Sequence, residues 1–239
     1  MADLQVADRL AQVRENIATA CAQTGRPEGS VQLVAVSKLI PLEKIMEACH
    51  AGQMVFGENR IPTAIDRQAE LIPLLNAANI SPARIQWHFI GHLQRNKANK
   101  ATGQFKLIHG VDSLALAAKI SQQAVAQGQS QSLLLEVNIS GEAQKNGLLP
   151  ESALDIAKEV SEMPHLELCG LMGMAARGVA DVTLGKTFGK LRRLCEDIRQ
   201  ETGLPLPELS MGMSGDYEVA IAEGATTVRV GSAIFGPRS

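Results

Sequence analysis

The feature that most constrains this chain is an alternation. Short apolar runs recur along its length, separated by longer stretches with helical spacing. The first run, residues 31–36, has an unbroken apolar core of the kind a parallel sheet buries on both faces. Before it, Leu10, Val13, Ile17, Ala20 and Cys21 recur at helical spacing until Gly25 and Pro27 stop the helix. Further strands are predicted at 54–56, 85–90, 106–108, 132–139, 166–172, 208–211 and 226–230. Helices are predicted at 41–51, 64–75, after Gly91, and at 114–127, 150–161, 184–201 and 216–223. A leading helix followed by eight strand–helix units of about 25 residues predicts an α/β fold, a single-domain TIM (β/α)8 barrel over residues 1–239. An open doubly wound sheet is the alternative, but no Gly-x-Gly-x-x-Gly follows the first strand.

Composition removes several classes of function. Net charge is −2, from 23 basic and 25 acidic residues, so no overall positive field attracts nucleic acid or an anionic membrane. Aromatic residues are 3%, which leaves few platforms for stacked bases. Residues 1–9 carry Asp3, Asp8 and Arg9 with no apolar segment after them, unlike a signal peptide, and no run reaches the length of a membrane span. Cys21, Cys49, Cys169 and Cys195 lie far apart, as expected of reduced thiols in a cytoplasmic protein that binds no metal through them.

In a barrel of this kind, reactive groups stand where strands end. Those ends carry Ser37 and Lys38, Glu58 and Asn59, His88 and His92, Asp112, Glu136 and Asn138, Ser214, and Arg229 with Gly231 and Ser232. Around the seventh and eighth ends, small residues let backbone approach a ligand. Ser214 and Ser232 add hydroxyl donors, and helix starts offer N–H groups to a phosphate. Lys38, beside an apolar strand, can attack a carbonyl once it has lost its proton. Pyridoxal phosphate and sugar phosphates both fit a rim lysine beside a phosphate pocket. Arg229, inside the apolar run 228–230, either meets a ligand's ring nitrogen or pairs with a carboxylate such as Glu136. His92, Gln94, Arg95, Lys97 and Lys100 read as a solvated helix face, and the Met172/Met174 and Met211/Met213 pairs as core and pocket lining. No nucleophile elbow supports a hydrolase.

Several motifs, taken in order, resemble one family. They are Leu33-Val-Ala-Val-Ser-Lys38, Phe56-Gly-Glu-Asn59, Trp87-His-Phe-Ile-Gly-His-Leu-Gln94, Leu209-Ser-Met-Gly-Met-Ser214 and Val228-Arg-Val-Gly-Ser-Ala-Ile-Phe-Gly236. The chain is similar over nearly its whole length to the YggS/PROSC family of pyridoxal phosphate homeostasis proteins. That resemblance implies a barrel like the N-terminal domain of bacterial alanine racemase. It implies pyridoxal 5′-phosphate held as a Schiff base on Lys38, Arg229 at its ring nitrogen, Ser214, Gly231 and Ser232 at its phosphate, and Asn59 near the ring. Many members follow Gly-Glu-Asn with Tyr and a Gln-Glu pair, where this chain has Arg60, Pro62 and Thr63.

The expected role is storage or delivery of the cofactor, with apoenzymes that use it as partners and a monomeric state. Two observations favour a binder over a racemase or an aldolase-like enzyme. Little chain follows the eighth strand to build an opposing β-rich domain. An arginine at the ring nitrogen also weakens the cofactor as an electron sink.

Overall fold

Strand β1 (Gln32–Val36) pairs in parallel with β2 (Val55–Glu58) on one side and with β8 (Thr227–Val230) on the other, so the last strand closes on the first. Between them β3 (Gln86–Phe89), β4 (Leu107–Val111), β5 (Gln131–Val137), β6 (Leu166–Gly173) and β7 (Glu208–Met213) follow in chain order around a closed barrel. This computed structural model describes residues 5–142, 144–176 and 178–237.

The helices are α1 (Val6–Gln23), α2 (Leu42–His50), α3 (Ile61–Ala77), α4 (Ala98–Ala101), α5 (Leu114–Gln127), α6 (Ala153–Ser161), α7 (Asp181–Thr202), α8 (Tyr217–Ala222) and α9 (Ser232–Phe235). Local chemistry sets their ends. Ser113 accepts the Leu116 N–H at the start of α5, and Gly128 ends it at a left-handed φ of 64°. The apolar stripe of α1 packs against α2, α8 and α9, which flank the closing β1–β8 pair. Asn16 Nδ2 donates to the Tyr217 hydroxyl at 3.0 Å, and Arg26 donates to the Ala225 carbonyl at 2.7 Å.

Two faces of the sheet separate cleanly. Ile108, Leu135 and Leu171 belong to the large core shared with the helices. Their neighbours Leu107, Leu134 and Met172 form a small separate cluster on the opposite, lumenal face. His109 and Glu136 stand two residues beyond Leu107 and Leu134, so they share that lumenal face.

The structure departs from the sequence reading in two places that matter. The segment after Gly91 is loop up to a 3-10 turn at Arg95–Lys97, followed by the four-residue α4, instead of a full helix. Strand β4 runs on to Val111 rather than stopping at 108, which brings His109 into the sheet. The four cysteines are free. Among the described residues no helix is long and apolar enough to cross a membrane, and no cluster of His, Cys, Asp and Glu is arranged to hold a metal.

Candidate functional site

Register determines what meets at the barrel mouth. Val34 pairs with Arg229 and Ala35 with Val230, so the residues just past β1 and β8 lie side by side. Met213 pairs with Arg229, which brings the end of β7 alongside. Lys38, Ser214, Arg229, Gly231 and Ser232 consequently line one cavity of about 490 Å³. That volume is within the usual range for a small-molecule site. Asn59 does not line this cavity. It borders a second one of about 330 Å³ together with Arg60, Pro62, Thr63, His92 and Lys97.

Lys38 rises from a loop fixed from behind. The Ser37 N–H donates to the Gly57 carbonyl at 3.1 Å, and the Ile40 N–H to the Ser37 carbonyl at 2.9 Å. Arg67 of α3 reaches over and donates to the carbonyls of Ser37 and Ile40. Ser37 turns away from the cavity and donates to Glu58 Oε1 at 2.7 Å, and Arg67 Nε lies 3.5 Å from the same oxygen. Glu58, a strand-end carboxylate in the sequence, therefore supports the loop from its outer side. Burial raises its pKa, while the Ser37 hydroxyl, Arg67 and Lys38 pull it back down.

The β7–β8 side is a tight backbone cradle. Near the end of β7, Gly212 has φ 93°, and a Cβ there would stand 2.9 Å from the Tyr217 Cα, so this position takes glycine alone. The Met213 N–H donates to Asp216 Oδ1 at 2.5 Å. Ser214 is no cap for its own helix. Its Oγ accepts the N–H of Gly231 at 3.1 Å and of Ala233 at 3.4 Å, tying the turn after β7 to the start of α9. A Cβ on Gly231 would meet Val36 Cβ at 3.3 Å, so the backbone at this point sits close to β1.

Arg229 is 4% exposed and does not pair directly with Glu136. Its guanidinium donates to Ser210 Oγ at 2.5 Å and to the Gly173 carbonyl at 3.2 Å. Burial lowers its pKa to about 10, with Glu136 and Asp216 opposing the shift, so it remains charged at neutral pH. Ser210 continues inward, 2.9 Å from His109 Nδ1, and His109 Nε2 stands 3.0 Å from His88 Nδ1. This polar chain crosses the lumen from β8 and β7 to β4 and β3. Burial drives the pKa of His88 down to about 4, and that of His109 well below its usual value. His109 and Ser210 escaped sequence reasoning. The available signal was the period of two from Leu107 to His109.

Glu136 is also buried, at 3% exposure. Burial and nearby Asp112 raise its pKa to about 7, with Arg229 and His92 opposing. Asp112 itself is 2.9 Å from His92 Nδ1. Asn138 is occupied locally, donating to the Glu142 carbonyl at 2.9 Å. The basic cluster is split. His92, Gln94 and Lys97 border the second cavity, and Arg95 faces solvent.

These features define a class: a (β/α)8 barrel whose rim cavity lies between a lysine past β1 and a serine–glycine cradle past β7 and β8. The family described as "Alanine racemase, N-terminal domain" matches residues 9–239. A pyridoxal phosphate homeostasis protein of Pseudomonas aeruginosa is 40% identical over 98% of this chain and 96% of its own length. Another, from Aquifex aeolicus, is 37% identical over 98% and 99%. The chain belongs to this family. PipY of Synechococcus elongatus, solved with PLP bound, superposes at a TM-score of 0.83 with 39% identity, covering 97% of this chain and 100% of that one.

Proposed function

We propose that this chain binds pyridoxal 5′-phosphate in the cavity at the β1–β7–β8 rim and serves its homeostasis by holding and releasing it. The observation that carries this reading is convergence. Lys38, Arg229, Gly231 and the donors of Ser214 and Ser232 line one cavity. Each matches a different part of the ligand. An amine suits an aldehyde, a buried guanidinium suits an unprotonated ring nitrogen, and hydroxyl and amide donors suit a phosphate. The ligand supplies an aldehyde able to link covalently to an amine, and a ring that can accept electrons.

The chain's own residues divide the work. Arg67 and Glu58 hold the 37–40 loop so that Lys38 stays at the rim. Ser214 gathers the amides at the start of α9. Arg229, charged and unable to accept a hydrogen bond, keeps the ring nitrogen from taking a proton. We infer that the link to Lys38 is covalent, and that residues 1–239 act as one domain. We further infer a monomeric, cytoplasmic protein that passes its cargo to apoenzymes dependent on it.

Titration of the purified protein with pyridoxal phosphate tests the reading. The expected result is a saturable visible band, lost on transfer to an apoenzyme that then regains activity. A protein that stays colourless under excess ligand contradicts it.

A further inference from the structure

The lumenal chain Arg229–Ser210–His109–His88 has a direction that the hydrogen-bond inventory fixes. Arginine has donors and no acceptor, so the first link runs from Arg229 to Ser210 Oγ. Ser210 is fully buried, and its one hydroxyl proton needs an acceptor. His109 Nδ1, at 2.9 Å, is the partner recorded for it besides Arg229 among the described residues. With Nδ1 accepting, a neutral His109 carries its proton on Nε2 and donates to His88 Nδ1 at 3.0 Å. His88 then carries its proton on Nε2 as well. The opposite direction would leave the serine proton pointing at nothing in a dry interior, which costs about 1–3 kcal/mol.

The charged groups around the chain agree with neutral rings. Arg229 bears on His109 from β8, His109 and Lys106 flank His88, and Glu136 and Asp216 face Arg229. Burial first, and then the charge of Arg229, disfavours a second cation on His109.

We propose that Ser210, His109 and His88 are positioning residues acting through Arg229: a neutral, one-directional chain that anchors one amino group of the guanidinium, while the Gly173 carbonyl anchors the other. With both amino groups tethered, the guanidinium is held in place where Arg229 lines the cavity it shares with Lys38. This inference rests on the pyridoxal phosphate reading for the identity of the ligand, but the chain itself exists without ligand.

Two measurements test it separately. On ligand-free protein, ring-nitrogen NMR at pH 6 is expected to show His88 and His109 both neutral, each with its proton on Nε2. An imidazolium at either ring, or a proton on His109 Nδ1, overturns the chain. With pyridoxal phosphate added, Ser210→Ala is expected to weaken binding about tenfold and to alter the pH dependence of the visible band, because the ring nitrogen loses its fixed partner. Ser210→Thr, which keeps the hydroxyl, is expected to restore both. His109→Gln provides the same test should Ser210→Ala fail to fold. Wild-type affinity and an unchanged pH dependence in these variants overturn the positioning role, even where thermal stability falls. A wild-type protein without any visible band instead refutes the ligand reading, and the NMR result still decides the chain.

Discussion

At the ends of β7 and β8 the chain turns through Ser214 and Gly231, and at Gly231 the backbone comes close enough to β1 that an added Cβ would touch Val36. At the end of β2 it turns through Asn59 and Arg60 straight into α3, and a separate cavity opens between this turn and His92 and Lys97 past β3. The first side offers amides and hydroxyls gathered on short turns. The second offers long, exposed cationic side chains. Small residues expose backbone donors that stay fixed, and those donors recognise an anion with little ordering cost. Long side chains on an open rim must be ordered first. That difference is why we place the proposed cofactor site on the β1–β7–β8 side, and it can be broken experimentally.

The largest expected effect is at Lys38. Lys38→Ala is expected to abolish the borohydride-trapped adduct while circular dichroism shows an intact barrel. Persistence of the adduct would shift the site to another lysine.

Next comes Glu136, at the seam, where it feels Arg229 of one side and His92 and Asp112 of the other. A carboxyl whose folded pKa is raised contributes stability below its unfolded pKa and loses it as pH rises through the folded value. For Glu136 that window runs from 4.5 to about 7. Glu136→Gln removes the loss. Relative to wild type, its stability is expected to rise on the order of 3 kcal/mol between pH 4.5 and 7.5, measured by urea unfolding of ligand-free protein. A difference flat with pH would show that Glu136 titrates normally. In the same range the two lumenal histidines act the other way, since their lowered pKa values cost stability as pH falls below about 6.5.

A smaller effect is expected for Ser214→Ala. It removes the acceptor that ties the β7 turn to α9, and affinity for pyridoxal phosphate is expected to fall about tenfold in a fluorescence titration. The smallest is expected for Asn59→Ala together with Arg60→Ala, under about threefold, because both side chains border the other cavity. A loss at Asn59 equal to that at Ser214 would erase the distinction between the two sides.

Much of this was legible in the sequence because parallel barrels write their layout in strand–helix alternation. The ends of β1, β7 and β8 were readable for a local reason. Lys38 follows an apolar run and the glycine–serine turns precede helices, so each could be placed at a strand end from its own neighbours. Other features depended on distant partners. Asn59 follows β2 in sequence, but whether it faces the Lys38 cavity depends on how the chain enters α3, where Pro62 opens the first helical turn. The pairing of His109 with Ser210 joins strands 101 residues apart, and no local pattern announces it. Glu58 and Lys38 are both strand-end polar residues, yet Glu58 braces the loop through Ser37 and Arg67 while Lys38 faces the cavity.

The most direct test of the central claim is peptide mapping of protein incubated with pyridoxal phosphate and reduced with borohydride. The expected result is a single modified peptide, with the adduct on Lys38. An adduct spread over surface lysines, or absent from Lys38, would contradict the assignment of the β1–β7–β8 cavity as the cofactor site.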